Sequence, residues 1–383
     1  MSNDQIVAPC APSIGEIFRT YGPAYLKKFA DQMHSDQIKA MVSIMRCRTP
    51  DSGSVVYRCQ QCQKLHHVLK SCGNRHCPVC QGGKAKAWLE KQLEQLLPCA
   101  YFMLTFTVPA EFRLFIRSHP RECYKALFDA AKETLFALAS DPKYIGSANI
   151  GATGVLHTWG RDLNYHPHLH FIVPGGAIGL DGKSWLSSRV DFLIPVLAAS
   201  VLFRAKYKAI MDRVGLLAEI PTEVWQKAWN FNCKAVGDGR LALRYLTPYV
   251  FRVAISNSRI VKVEPSADGT GVVTFTYRPS GTSSYKPMTV SAEEFIRRFL
   301  QHVLPNGFQK VRHFGFAHPR AKTNWEWLSM LVTVTLNMVY VLTVAAKPLL
   351  EKATLKCPEC GGELTCLGFV ASAPRRLVEF DTS

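Results

Sequence analysis

The sequence predicts an α+β fold: an antiparallel sheet with helices on one side, preceded by a small cysteine-rich, metal-dependent module. Three observations carry this. Apolar strand-like runs (YFMLTFTV, GVLHTW, HLHFIV) are spaced as hairpin neighbours with few crossover-length gaps. Amphipathic segments such as ECYKALFDAAKETLFALA interleave with them. Ahead of both, close cysteine pairs are packed into a stretch of about twenty residues from Cys59 to Cys80.

The 383 residues suffice for two or three domains. We divide them at 1–98 (the cysteine-rich module), 99–325 (the sheet-bearing domain) and 326–383 (an apolar segment and a further cysteine cluster). Hydrophobic residues make up 48% of the chain, which excludes a disordered polyelectrolyte. Lys and Arg number 46 against 29 Asp and Glu, a net charge of +17 spread along the whole chain. A polyanion is the natural partner, although charge alone does not separate nucleic acid from an anionic membrane. The opening residues lack a basic region followed by an apolar run, so no signal peptide is expected and the thirteen cysteines are read as reduced.

Helical patterns cover Ile14 to Met45 and Gly83 to Leu97. Between them CQQCQKLHHVLKSCGNRHCPVC holds Cys59 with Cys62 and Cys77 with Cys80, two CxxC pairs fourteen residues apart. Each pair can place two thiolates about 2.3 Å from one ion, and the loop can fold back to close a tetrahedron around a structural zinc. Cys47, Cys72, His66, His67 and His76 are near enough to substitute or to build a second site. A closed thiolate site has no open position, so it would fold the module and present Lys64, Lys70 and Arg75 to DNA. KCPECGGELTC adds Cys357, Cys360 and Cys366, a knuckle-like half without an evident fourth ligand.

After the strand at Tyr101 and the helix that follows comes the run WGRDLNYHPHLHFIVPGGA. Strand alternation puts His166, His168 and His170 on one face, with Leu169 and Phe171 on the apolar other. Three imidazoles at period two are a metal-ligand pattern. Neutral imidazole suits manganese, zinc or iron, and magnesium serves where a phosphate supplies further oxygens. Pro167 removes a backbone donor and places His166 at the start of the ladder or at an edge, so His168 and His170 are the firmer ligands. The third is His166, or His157 on the preceding strand, which on its own reads as a plain strand residue. The paired Gly175 and Gly176 are read first as a tight turn.

Phe192 to Val214 reads as a long helix. RYLTPYVFRVAISNSRI then carries Tyr245 and Tyr249, flanked by Arg244 and Arg252. On one continuous helix the two tyrosines share a face. Pro248 would clash inside a helix and is more comfortable as its first residue with Thr247 as cap, which ranks Tyr249 ahead of Tyr245 as a nucleophile. The arginines are placed to hold a phosphate. Strands SRIVKVEP and GVVTFTYR, helix SAEEFIRRFLQHVL and strand KVRHFGF follow. Leu328 to Ala346 is apolar, but Ser, Thr and Asn interruptions favour a buried helix over a membrane span.

The order SCGNRHCPVC, YFMLTFTVP, HTWGRDLNYHPHLHFIVPGGA, YLTPYVFRVAISNSRI resembles transposases of the insertion sequence 91 family over about residues 14 to 320. That resemblance implies a histidine-hydrophobe-histidine nuclease fold: His168 and His170 hold a magnesium or manganese ion on a central strand, opposite a helix bearing Tyr245 and Tyr249. It implies cleavage of single-stranded DNA at element ends through a 5′-phosphotyrosine, transfer of the strand to a target, and a cytoplasmic, nucleoid-associated bacterial setting. The chain contains no GxxxxGK[ST] phosphate loop, so a host helicase and replication proteins are expected partners. Two rival readings are a hydrolase in which HxHxH metals activate water, with Asp162 the one nearby acidic ligand, and a zinc-dependent DNA-binding protein without catalysis.

Overall fold

The computed structural model describes residues 12–338 and 355–371, apart from 81, 252–253, 267–268, 280 and 283 and the side chains of 82, 249 and 251. Helix α1 (Ile14–Phe29) starts where Ser13 and Glu16 cap each other's backbone amides, and α2 (Ser35–Arg46) follows antiparallel to it. A hairpin of β1 (Ser54–Cys59) and β2 (Leu65–Leu69) leads through the second cysteine pair to α3 (Gly82–Glu94). Then come β3 (Tyr101–Thr107), the short α4 (Arg113–Ser118) and the long α5 (Pro120–Ser140), which opens on a proline. Next are β4 (Gly151–Trp159), β5 (Tyr165–Pro174) and a small hairpin of β6 (Gly176–Ile178) and β7 (Trp185–Ser187). The chain continues through α6 (Val196–Arg213), β8 (Asn230–Ala235), α7 (Arg240–Phe251), β9 (Ile260–Glu264), β10 (Val272–Tyr277), β11 (Lys286–Ser291) and α8 (Ala292–Leu300). It ends with β12 (Val311–Gly315), α9 (Trp325–Thr335) and β13 (Leu364–Val370).

The main sheet is antiparallel, in the order β12-β4-β5-β3-β8, so the histidine-bearing β5 is its central strand. Leu169, Phe171 and Val173 alternate with the histidines and enter the large core beneath α5 and α6. Phe106 anchors that core, with ring centres 5.5 Å from Phe171, 5.0 Å from Phe203 and 4.8 Å from Phe231. The opposite face is partly covered by α7, whose Ala242, Leu243 and Leu246 pack on Tyr101, Val155 and Ile172, with Trp88 and Leu89 of α3 packed alongside. The histidine end of this face stays open.

One sequence expectation is corrected here: α7 runs unbroken from Arg240 to Phe251 with Pro248 inside it. Thr247 does not cap a new helix: its Oγ1 donates 2.7 Å to the carbonyl of Leu243 one turn back. A single missing amide near the end of a packed helix is tolerated, so Tyr245 and Tyr249 sit on one helix, and the argument for ranking Tyr249 first falls away.

Packing and strand pairing also run across positions 98 and 325. Ile14, Ile17, Phe18 and Met41 pack with Val273, Phe275, Phe295 and Phe299 beneath the sheet β11-β10-β9. Strand β1 pairs with β13. Helix α9 buries Leu328 and Val332 against Leu97, Trp185 and Phe316. Tertiary partners of this kind leave no trace in local composition. Residues 339–346 of the apolar stretch lie outside the described residues. Among the described ones no helix is long and apolar enough to cross a membrane.

Candidate metal centre and nucleophile cleft

Register builds the site. In the ladder His157 of β4 and Thr107 of β3 both face His168, while Val155 and Thr105 face His170. Cross-strand partners share a sheet face, so His157 joins His168 and His170. Their ligand atoms all lie within 4.8 Å of one another. Ring centres are separated by 4.5 Å for His157 and His170, 4.9 Å for His168 and His170, and 5.1 Å for His157 and His168.

The donor chemistry fits a divalent cation. His168 Nδ1 lies 2.7 Å from the carbonyl of His166 and must donate to it, which leaves the Nε2 lone pair for a metal. Thr105 Oγ1 sits 3.0 Å from His170 Nδ1 and fixes that ring in turn. Burial, and then the neighbouring imidazoles, holds His157 and His168 neutral, well below the usual histidine range; burial and His166 bring His170 down to about 4. Three neutral imidazoles, His157 and His170 buried and His168 half-buried, are poor proton acceptors and good metal ligands.

His166 lines the same cleft with its ring 4.9 Å from that of His168, but it is not among the three histidines whose ligand atoms converge. Strands β4 and β5 lose register between His157 and Trp159, where His166 and Pro167 face the single residue Thr158. Pro167 falls at this bulge, where its missing amide matters least. His166 is turned to α4, and Arg113 Nη2 donates to its Nδ1 at 2.7 Å. His157, which reads in isolation as an ordinary strand residue, takes its place.

Across an open cleft of about 470 Å³ from the histidines, the ring of Tyr245 lies 6.4 Å from that of His170 and perpendicular to it. Tyr245 is 48% exposed. Tyr249 lies one turn further along the same helix. Arg244 is exposed beside Tyr245, and Arg252 lies outside the described residues.

The arginines that line the cleft are others, missed in the sequence: Arg161, Arg259 and Arg278. Arg259 is braced by the carbonyls of Thr276 at 2.7 Å and Arg161 at 3.1 Å. Arg161 adjoins the histidine run and could have been flagged from it; Arg259 and Arg278 come from the β9–β10 sheet, which nothing local ties to the site. Gly175 and Gly176 serve the chain's own packing, since an added Cβ would sit 2.8 Å from the carbonyl of Ala100 and 2.5 Å from Trp185 respectively. His313 accepts or donates to Thr153 Oγ1 at 2.9 Å on the neighbouring strand.

The cysteines also regroup. Cys59, Cys62, Cys77 and Cys80 do not converge on one point. Cys77 and Cys80 meet Cys47 and Cys72, whereas Cys59 and Cys62 meet Cys357 and Cys360. The β1–β2 hairpin separates the two CxxC pairs, so the loop between them cannot fold back as their spacing suggests. In the first cluster Sγ separations are 3.4 Å for Cys47 and Cys80, 3.6 Å for Cys72 and Cys80 and 3.7 Å for Cys47 and Cys77. A tetrahedron with zinc–sulfur bonds of about 2.3 Å places sulfurs about 3.8 Å apart, so the set fits zinc.

A central strand presenting a histidine-hydrophobe-histidine run to a tyrosine-bearing helix defines a nuclease fold of that name. The family described as "Putative transposase" matches residues 151–324, and "Transposase zinc-binding domain" matches residues 17–108. The chain is 36% identical to "Putative transposase y4qJ" of Sinorhizobium fredii (strain NBRC 101917 / NGR234), over 81% of each chain. It is 25% identical to "Transposase for insertion sequence element IS801" of Pseudomonas savastanoi pv. phaseolicola, over 86% of this chain and 82% of that one. No solved structure matches. The chain belongs to the insertion sequence 91 family of transposases, which are DNA-processing enzymes.

Proposed function

We propose that this transposase cuts and rejoins single-stranded DNA at the ends of its element through a tyrosine nucleophile, in a rolling-circle reaction. The observation that carries this reading is the placement of Tyr245 across the cleft from His170, with both groups facing one space open to substrate. The Tyr245 oxygen attacks the scissile phosphorus, a tyrosyl O–P bond forms, and the bond to the 3′-oxygen breaks. The phenol proton leaves and the departing 3′-oxygen gains one, so the products are a 5′-phosphotyrosine and a 3′-hydroxyl. Because the phosphodiester energy is kept, a later 3′-hydroxyl can reverse the step and join the strand to a target.

A magnesium or manganese ion held by His157, His168 and His170 would supply positive charge at the non-bridging phosphate oxygens. Arg161, Arg259 and Arg278 line the entrance and are placed to take neighbouring phosphates, a role also open to Arg244 and Arg252. Tyr249, on the same helix, is the candidate for a second transfer step. Unwinding would fall to a host helicase, and the setting would be the bacterial cytoplasm and nucleoid.

The test is to incubate the protein with end-labelled single-stranded DNA from its element's termini and manganese or magnesium, denature with detergent, and look for a covalent adduct carrying label placed 3′ of the cut. Tyr245→Phe should abolish the first adduct, with Tyr249→Phe sparing it. Cleavage without any adduct would replace this reading by metal-activated hydrolysis.

A further inference from the structure

We propose that Cys59, Cys62, Cys357 and Cys360 form a second zinc site, separate from the Cys47 cluster, which clips residues 355–371 onto the β1–β2 hairpin. The zinc-binding match ends at residue 108 and so contains the whole Cys47 cluster but half of this one. The two halves are 295 residues apart in sequence, yet Cys62 Sγ lies 3.8 Å from Cys357 Sγ and Cys59 Sγ lies 3.4 Å from Cys360 Sγ. These are the separations of thiolates around one tetrahedral ion, and are well beyond a disulfide bond.

The surroundings are shaped for an ion. The backbone amides of Gln61 and Cys62 point at Cys59 Sγ from 3.4 and 3.5 Å, the knuckle turn in which amides stabilise a metal-bound thiolate. The carbonyl of Gly362 accepts from the Cys357 amide at 2.7 Å in the matching turn. Gly362 itself must lack a side chain, since a Cβ there would sit 3.0 Å from Cys59 Sγ and 2.8 Å from Gln61 Cβ. His66 Nε2 lies 3.2 Å from Cys357 Sγ, a charge-relieving donor at the rim. Four thiolates leave no open position, so the ion is structural.

The second half of the argument is what would otherwise hold β13 in place. Its outer residues Leu367, Phe369 and Val370 are exposed, so no apolar core fastens it. Apart from the β1 ladder, its described contacts with the hairpin include the Gln60 amide on the Glu363 carbonyl, the Gln60–Thr365 hydrogen bond, the Lys64–Glu359 ion pair and Lys70 over the Phe369 ring. Surface contacts of this kind contribute little against the entropy of ordering residues 355–371. A metal bound to ligands from both segments supplies the missing term.

The test uses the full chain purified from zinc-supplemented medium. Elemental analysis should give one zinc ion fewer per chain for the double variant Cys357→Ser/Cys360→Ser than for the native protein. Hydrogen exchange in that variant should rise at residues 364–370 and in β1, with α1 and α2 unchanged. In cadmium-substituted native protein, proton–cadmium couplings should group the Cys59, Cys62, Cys357 and Cys360 Hβ protons on one ion and those of Cys47, Cys72, Cys77 and Cys80 on another. This measurement decides the matter even if the variant fails to fold. Equal zinc content in the native protein and the variant after incubation with excess zinc, or couplings that mix the two sets, would each overturn the proposal.

Discussion

His302 is buried in the seam between α8 and the histidine-bearing sheet, and acid should loosen that seam through it. Its Nδ1 lies 3.3 Å from Thr158 Oγ1 and its Nε2 3.1 Å from the carbonyl of Leu163. Both partners flank the turn joining β4 to β5, where Leu163 adopts a left-handed φ of 66°. Burial brings the imidazole down from 6.5 to about 4; Lys310 and Arg117 push the same way, against the hydrogen bonds to Leu163 and Thr158.

The folded state therefore binds fewer protons than the unfolded chain between these two values. Stability contributed by neutral His302 is complete above pH 6.5 and is lost as the pH falls towards 4, at up to about 1.4 kcal/mol per pH unit and about 3 kcal/mol in all. The perturbation is His302→Gln, read by denaturant melts at pH 7 and 5.5. The variant should be less stable at pH 7 by about 1 to 3 kcal/mol, since buried partners lose a bond. Its further loss on going to pH 5.5 should be smaller than that of the native protein by about 1 kcal/mol. Acid sensitivity of the thiolate sites is common to both proteins and cancels in the difference. Equal losses in the two would refute the assignment of His302 as a buried neutral group.

Two further outcomes follow from the geometry. His157→Ala removes one of three clustered imidazoles, so manganese-dependent cleavage should weaken by at least the roughly 10- to 100-fold typical of disrupting a metal site's support; His166→Ala should leave manganese affinity much closer to native, and calorimetric titration distinguishes the two. Phe171→Ala opens a fully buried cavity beside Phe106 and Phe314 and should cost about 3 to 5 kcal/mol of stability, seen as a lowered Tm with the cleft-facing side of β5 unchanged in sequence.

The sequence by itself determined those features that rest on local periodicity or on close spacing. Alternation along residues 165–174 was enough to put His168 and His170 on one face and Leu169 and Phe171 in a core, because strand geometry follows directly from a period of two. The amphipathic repeat from 120 to 140 was enough for α5, and the CxxC pairs for metal binding.

Only the tertiary structure decided which of these local pieces meet. His157 joins His168 and His170 through cross-strand register, while His166, at a bulge and bonded to Arg113, stays beside His168 without joining the converging ligand atoms. Pro248 stays within α7, where packing of Leu243 and Leu246 outweighs one lost hydrogen bond, so helix continuity was settled by burial and not by propensity. The cysteine pairs chose partners 295 and 301 residues away in one cluster, and in the other Cys47, 30 and 33 residues back, together with the nearby Cys72. Spacing along a chain limits what nearby residues can reach, but it carries no information on which distant segment folding will bring beside them.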